Sequence, residues 1–353
     1  MAHAFVGTPP SEELERFVAL LRDALAAAGS EESADPEDAN LVVNVFPVDE
    51  PRTFRRRARG TFVAGLYERP SHSLEEDYPM LVRALSNVGV CYVPGEGVWF
   101  TTMERGHYGV TAEDGPEALA AGVVDRLLPL ANSRLVIDNE FRPDLEPELW
   151  DGDEHTEEIS EAGRRLDALG LLPSPFPIED LLSERELRHV KRLYGIGGLS
   201  YGNLSQRKDE QRFWMSASGV DKSKLETPGS DILLVSDYDE ERGVIVLSVP
   251  PGIEPRRVSV DAIEHWMIYQ EHPDVGAILH VHAWMEGIAA TDVNYPCGTE
   301  ELARNVADLL QQEPDPTAAV IGLRNHGITA TGPTLVSILD RIEPRILRQV
   351  PML

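Results

Sequence analysis

VGAILHVHAW, residues 275–284, opens with an apolar run from Val275 to Leu279 and closes on two histidines one residue apart. Such a run reads as a buried strand, and on a strand side chains two residues apart share a face. His280 and His282 are therefore expected to converge at a strand end. Two imidazoles so placed can take adjacent vertices of a metal polyhedron, and neutral imidazole suits zinc, iron, nickel or copper. By itself the pair reads more readily as two surface histidines than as a metal site. A second apolar run, Ala318 to Leu323 in AAVIGLRNHGITATG (318–332), ends in a turn carrying Asn325, His326 and Gly327, so His326 can arrive from a neighbouring strand end. Three histidines leave a position open for a substrate oxygen, as catalytic rather than structural zinc sites do.

No such grouping is visible among His3, His72, His107, His155, His189 and His272, which read as surface residues. His265, on the amphipathic VDAIEHWMIYQ (260–270), reads as structural. Upstream, FWMSAS (213–218), DILLVS (231–236) and VIVLSV (244–249) read as strands, and SERELRHVKRLYG (183–195) as a helix. Lys222 and Lys224 are expected to be exposed. Cys91 and Cys297 are too few for a disulfide framework and fit a reducing compartment. Cys297, in NYPCGTEELA (294–303), reads as a packed small residue rather than a nucleophile.

The order SYGNLSQR (200–207), SASGVDKSKL (216–225), DILLVSDYD (231–239), SVDAIEHWMIYQEHPDVGAILHVHAW (259–284), YPCGTEELA (295–303) and NHGITATG (325–332) resembles the class II aldolase and adducin family. The resemblance covers residues 183–353. It implies a three-layer α/β/α domain with a central, mostly antiparallel sheet. It makes His280, His282 and His326 the ligands of a divalent metal, zinc first, with manganese, iron, cobalt or nickel also accommodated. The family includes sugar-phosphate aldolases, an epimerase, decarboxylases, a dehydratase and the non-catalytic adducins. The expectation is a metal-dependent lyase of aldolase or decarboxylase type, acting on a small hydroxy-carbonyl or sugar-phosphate substrate through a metal-stabilised enediolate. An epimerase or dehydratase on the same scaffold, or an adducin-like binding protein, are the alternatives. Homo-oligomerisation is implied as well.

Asp261 stands where the family usually has a glutamate acting as general base, and it is one methylene shorter. The bland reading of Asp261 is an acidic residue at a helix N-terminus. Gly202 and Asn203 of YGNLS, with Ser218 and Gly219 of SASGV, match the family's phosphate-binding loops, where backbone N–H groups and hydroxyls receive anion oxygens. Ser259 keeps one hydroxyl of the usual serine pair, and Val260 replaces the other. The chain carries no tyrosine after Tyr295, so a proton donor would come from elsewhere, Tyr201 among the candidates.

Residues 1–145 read as a separate α/β domain: a helix from Ser11 to about Gly29, strands at LVVNVF (41–46) and TFVAGLY (61–67), and a helix over DYPMLVRALSNVG (77–89). Paired strands around GEG (95–97) and a helix over GPEALAAGVVDRLLPLA (115–131) complete it. Residues 146–182, acidic and proline-containing, read as a connection carrying one helix from Glu157 to Gly170. The net charge of −28 over 353 residues opposes binding to nucleic acid or anionic lipid. Its local exception, RTFRRRARG (52–60), reads as a solvated basic edge. The N-terminus lacks the basic start and apolar stretch of a secretory signal, and no apolar run is long enough to span a bilayer, so a cytoplasmic location is expected.

Overall fold

The computed structural model describes residues 1–55, 60–104, 106–172, 182–188 and 202–353. Arg56, Arg57 and Arg59 of the basic run, most of the LLPSPFPIEDLL segment, the expected helix beyond residue 188, His189 and Tyr201 lie outside the described residues. The chain divides into two compact units, the first containing Met1–Ser133 and the second containing residues 134–172 and 202–351. No helix among the described residues is long and apolar enough to cross a membrane.

The first unit runs β1 (Ala2–Gly7), α1 (Glu12–Ala27), β2 (Glu31–Glu32), β3 (Leu41–Val45), β4 (Phe62–Glu68), α2 (Leu74–Ala84), β5 (Val88–Val93), β6 (Gly97–Thr102), β7 (His107–Thr111) and α3 (Pro116–Asn132). Its sheet has the order β2-β1-β3-β4-β5-β6-β7. Neighbours from β2 to β5 pair parallel, and β6 and β7 add antiparallel at one edge. A parallel sheet is covered on both faces, which is why all five residues of β3 are buried. Ser11 caps α1 by accepting the Leu14 amide hydrogen, as expected from the sequence. Two features differ from expectation. The N-terminal β1 pairs with both β2 and β3, with His3 buried and its Nδ1 paired with Ser30 Oγ at 2.8 Å. Helix α2 stops at Leu85, which adopts a left-handed conformation, and Gly89 lies inside β5.

The second unit runs β8 (Asp138–Arg142), α4 (Glu154–Ala168), β9 (Asn203–Arg207), β10 (Phe213–Ser216), β11 (Ile232–Asp239), β12 (Val244–Ser248), α5 (Ala262–Glu271), β13 (Ala277–Val281), α6 (Glu300–Gln312), β14 (Val320–Leu323), β15 (Gly327–Gly332) and α7 (Leu335–Ile342). The sheet order is β14-β15-β13-β9-β10-β11-β12-β8. Every neighbour pair is antiparallel except β12 with β8. Side-chain alternation along β9 shows the layering. Ser205 bonds Tyr269 and His265 of α5, whereas the next residue, Gln206, bonds Glu158 of α4. Adjacent strand residues face opposite sides, so α5 and α4 cover opposite faces of one mostly antiparallel sheet.

Residues 134–172 belong to this second unit, which moves the boundary upstream of the expected connection at 146–182. Their acidic surface composition conceals a buried stripe on α4: Ile159, Ala162, Gly163 and Leu166. Asp153 caps that helix in a capping box with Thr156. The stripe packs α4 onto the sheet, and β8 extends the sheet at its edge.

Candidate metal centre and acid-base site

The site forms where β13, β9 and the turn between β14 and β15 come together. In β13 the apolar residues Ala277, Ile278 and Leu279 are fully buried, which fixes the strand's register against β15 and β9. That register sets His280 opposite Thr329 on one side and opposite Asn203 on the other. The β14–β15 turn is closed by the His326 amide donating to the Leu323 carbonyl at 3.0 Å. Asn325 takes a left-handed conformation there (φ 58°), a region that asparagine tolerates better than most residues. The turn delivers His326 onto the end of β13.

His280, His282 and His326 each offer one nitrogen, and those atoms lie within 4.8 Å of one another. Nε2 of His326 and Nε2 of His282 are 3.0 Å apart. Nδ1 of His280 is 3.0 Å from the buried carbonyl oxygen of Ile328. Since a carbonyl only accepts, Nδ1 carries the proton and the Nε2 lone pair is left for another partner. Nε2 is buried and has no hydrogen-bond partner among the described residues. Burial depresses both His280 and His326, with His280 adding to the effect at His326, so the rings are held neutral. Converging neutral imidazoles, one with its outer N–H fixed by a backbone carbonyl, fit a divalent cation.

Asp261 precedes the first turn of α5 and is buried, and its side chain does not cap the helix. Instead, Asn203 Nδ2 donates to Asp261 Oδ2 at 2.8 Å, while Oδ1 has no partner among the described residues. Asn203, expected at an anion loop, thus orients the carboxylate. Gly202 beside it has φ 80°, and a Cβ there would lie 2.4 Å from the His280 carbonyl oxygen. Only glycine lets the loop pass this close to β13. Ser218 and Gly219 follow β10, and an isolated bridge between Ala217 and Val258 brings them alongside the segment carrying Ser259. The Ser218 amide donates to the Arg257 carbonyl, and that of Ser259 to the Ser216 carbonyl. The five anion-loop residues therefore form two groups, Gly202 and Asn203 at β9, and Ser218, Gly219 and Ser259 across the Ala217–Val258 bridge.

Several site residues were not legible in the sequence. Lys222, expected to be exposed, is 3% exposed; burial pushes its ammonium down to about 8 against the attraction of Asp261 and Asp221. The loop bends inward here because α4 packs on it: a Cβ on Gly163 would lie 2.0 Å from the Lys222 carbonyl oxygen. Glu264 is buried one helical turn after Asp261 and accepts from Thr329 Oγ1 at 2.6 Å. Burial raises its carboxyl, and the Asp261 charge raises it further. Its spacing of three from Asp261 was the available signal, since residues three apart share a helix face. Cys297 Sγ lies 3.5 Å from His326 Nε2, a proximity that no local spacing announces. His265 is structural as expected, buried with Nδ1 at 2.7 Å from Ser205 Oγ. Outside this site, His72 and His107 are not isolated surface residues; they pair at 3.1 Å, with the His72 ring stacked 3.7 Å from that of Trp99.

Residues 187–292 match the family model described as the class II aldolase and adducin N-terminal domain. Over 131 residues the chain is 33% identical to a methylthioribulose-1-phosphate dehydratase of Leptospira biflexa, covering 36% of this chain and 56% of that protein. Over 88 residues it is 34% identical to a protein of the same name from Xanthomonas campestris pv. campestris, covering 25% of this chain and 35% of that one. The chain thus spans about half the length of the first of these relatives or less. Among solved structures, an L-fuculose 1-phosphate aldolase is similar with a TM-score of 0.37 and 20% identity, covering 54% of this chain and 81% of that one.

Proposed function

Starting from a C-terminal segment of the class II aldolase and adducin type, we propose that the second unit is a metal-dependent lyase for a small hydroxy-carbonyl compound, with a sugar phosphate the leading substrate class. The observation that carries the reading is the convergence of three imidazole nitrogens beside a buried carboxylate oriented by Asn203. His280, His282 and His326 hold the cation, zinc first. A bound divalent cation supplies a Lewis acid that polarises the substrate carbonyl and makes the neighbouring C–H acidic. Asp261 removes that proton through Oδ1, the oxygen that Asn203 leaves open. Lys222 attracts Asp261 electrostatically, and its ammonium adds positive charge near the site while negative charge develops on the substrate. Gly202, Ser218, Gly219 and Ser259 receive the anionic group of the substrate. Homo-oligomerisation belongs to this reading too.

Abstraction of the proton next to the carbonyl leads to loss of a hydroxyl group from the next carbon, whereas carbon–carbon cleavage starts with removal of that hydroxyl's own proton and ends with protonation of the enediolate by the same acid-base group. The similarity of 131 residues to a named dehydratase favours hydroxyl loss as an alternative to aldol cleavage or decarboxylation. The test is metal analysis of the purified chain coupled to a product screen with ketose phosphates and hydroxy-keto acids, using Asp261→Asn as control. About one divalent metal per chain and turnover lost in the control are expected. A metal-loaded protein that converts no substrate would leave an adducin-like binding role in its place.

A further inference from the structure

Strand β13 ends at Val281, so His282 stands one residue beyond it. On the near side its backbone is fixed by Val281, which pairs with Ile328 of β15. On the far side Ala283 is buried, and the next backbone pairing is made by Trp284 with Leu347, outside any strand. The Trp284 amide donates to the Leu347 carbonyl at 2.7 Å, and the Leu347 amide donates to the Trp284 carbonyl at 2.8 Å. This double exchange is the hydrogen-bonded pair of an antiparallel ladder, placed two residues after a ligand.

Leu347 is seated by its backbone rather than its side chain, which leaves the residue 43% exposed. Its neighbour Arg348 anchors the segment to α4: Nη2 donates to the carbonyl of Leu169, the residue that ends the helix, at 2.8 Å. A cation there complements the helix dipole. A Cβ on Gly170 would lie 3.0 Å from Nη1 of the same guanidinium. Trp284 is pinned on its other side by β14, where a Cβ on Gly322 would lie 2.4 Å from Cη2 of the indole. Gly322 in turn pairs with Ile328, whose carbonyl receives the His280 Nδ1–H. Trp284 is therefore clamped between the strand pair that supports the histidine cluster and a segment tied to α4.

We infer that residues 345–348 are a positioning strap for the metal centre, in which Leu347, acting through Trp284, fixes the direction in which His282 presents its ring to the ion. The inference rests on the metal reading of the three histidines. Ligands must be held to within about 0.5 Å of their binding geometry by the contacts behind them. With the strap released, the backbone is paired on one side of His282 only, and the ion itself must order the ligand, which lowers affinity.

The probe is zinc, added to the full chain after chelation, with affinity read by chelator competition. Leu347→Pro removes the amide that bonds Trp284 and should weaken zinc by roughly 10- to 100-fold, the range for losing a group that supports a ligand. Leu347→Ser keeps the amide and changes only the exposed side chain, so it should bind zinc as the wild type does. Coupling between two sites is reciprocal, so zinc should also slow hydrogen exchange of the Leu347 amide in the wild type by at least about tenfold. That readout stands even where the proline variant fails to fold. Wild-type affinity in Leu347→Pro, equal weakening by Leu347→Ser, or a Leu347 amide that exchanges at one rate with and without zinc overturns the strap and leaves the three-histidine centre standing. A wild type that holds no zinc overturns both.

Discussion

Replacing His280 with alanine should separate two functions of one side chain. The first is metal binding. Four-ligand zinc sites in small peptides are worth about 10–16 kcal/mol, so each ligand carries roughly 3–4 kcal/mol, on the order of 10²- to 10³-fold in affinity. The second is packing. His280 is 1% exposed and its Nδ1–H satisfies the buried Ile328 carbonyl at 3.0 Å. Losing that donor and opening a cavity destabilises the metal-free fold, while removing the orphaned Nε2 offsets part of the loss, leaving about 1–3 kcal/mol. His282 is half-buried, against 1% exposure for His280, so His282→Ala should weaken zinc by a similar factor and cost less metal-free stability than His280→Ala, about 1 kcal/mol. Chelator competition gives the zinc affinity, and urea unfolding of the chelator-treated proteins gives the stability. Zinc at 100 times its Kd should raise wild-type stability by about 2.7 kcal/mol and leave both variants nearly unmoved. Wild-type affinity in both variants would refute the metal centre, and equal destabilisation by the two would refute the packing argument.

Gly163→Ala tests the packing of α4: helix propensity gains about 1 kcal/mol, but the new Cβ would lie 2.0 Å from the Lys222 carbonyl oxygen. A net loss of about 1–3 kcal/mol is expected on urea unfolding, and a more stable variant would contradict the close approach. Gly202→Ala should lose at least about 1–2 kcal/mol, because φ is 80° and the Cβ meets the His280 carbonyl oxygen, with weaker zinc binding as β13 shifts; unchanged affinity would show that Gly202 does not position the ligand. In the first unit, burial holds His107 down to about 4, aided by His72. The unfolded chain binds a proton there first as pH falls, so this stability is complete above about 6.5 and is lost toward about 4. The difference between wild type and His107→Gln should change across that window by roughly 1–2 kcal/mol after discounting for solvent screening, and a flat difference in unfolding midpoints from pH 4 to 7 would refute it.

The strands of both units could be read where apolar residues ran together, as at Leu41–Val45 and Ala277–Val281, because burial demands such runs whatever the partners. The residues missed in sequence were those whose neighbours compensate for their polarity. His3 reads as a surface residue until Ser30 pairs with its ring, and α4 reads as a helix of an acidic connection until its narrow stripe meets the sheet. The sequence alone determined a strand ending in paired histidines, a second strand end carrying His326, and an order of motifs that implied one sheet beneath them. Tertiary structure decided which groups share the site. Convergence of the histidine nitrogens, burial of Lys222 and Glu264, the turn of Asn203 toward Asp261, and the position of Cys297 beside His326 all depend on register between segments distant in the chain. A local pattern specifies which face a side chain takes, but only the packing of separate strands and turns sets the few ångströms that turn such faces into a coordination site.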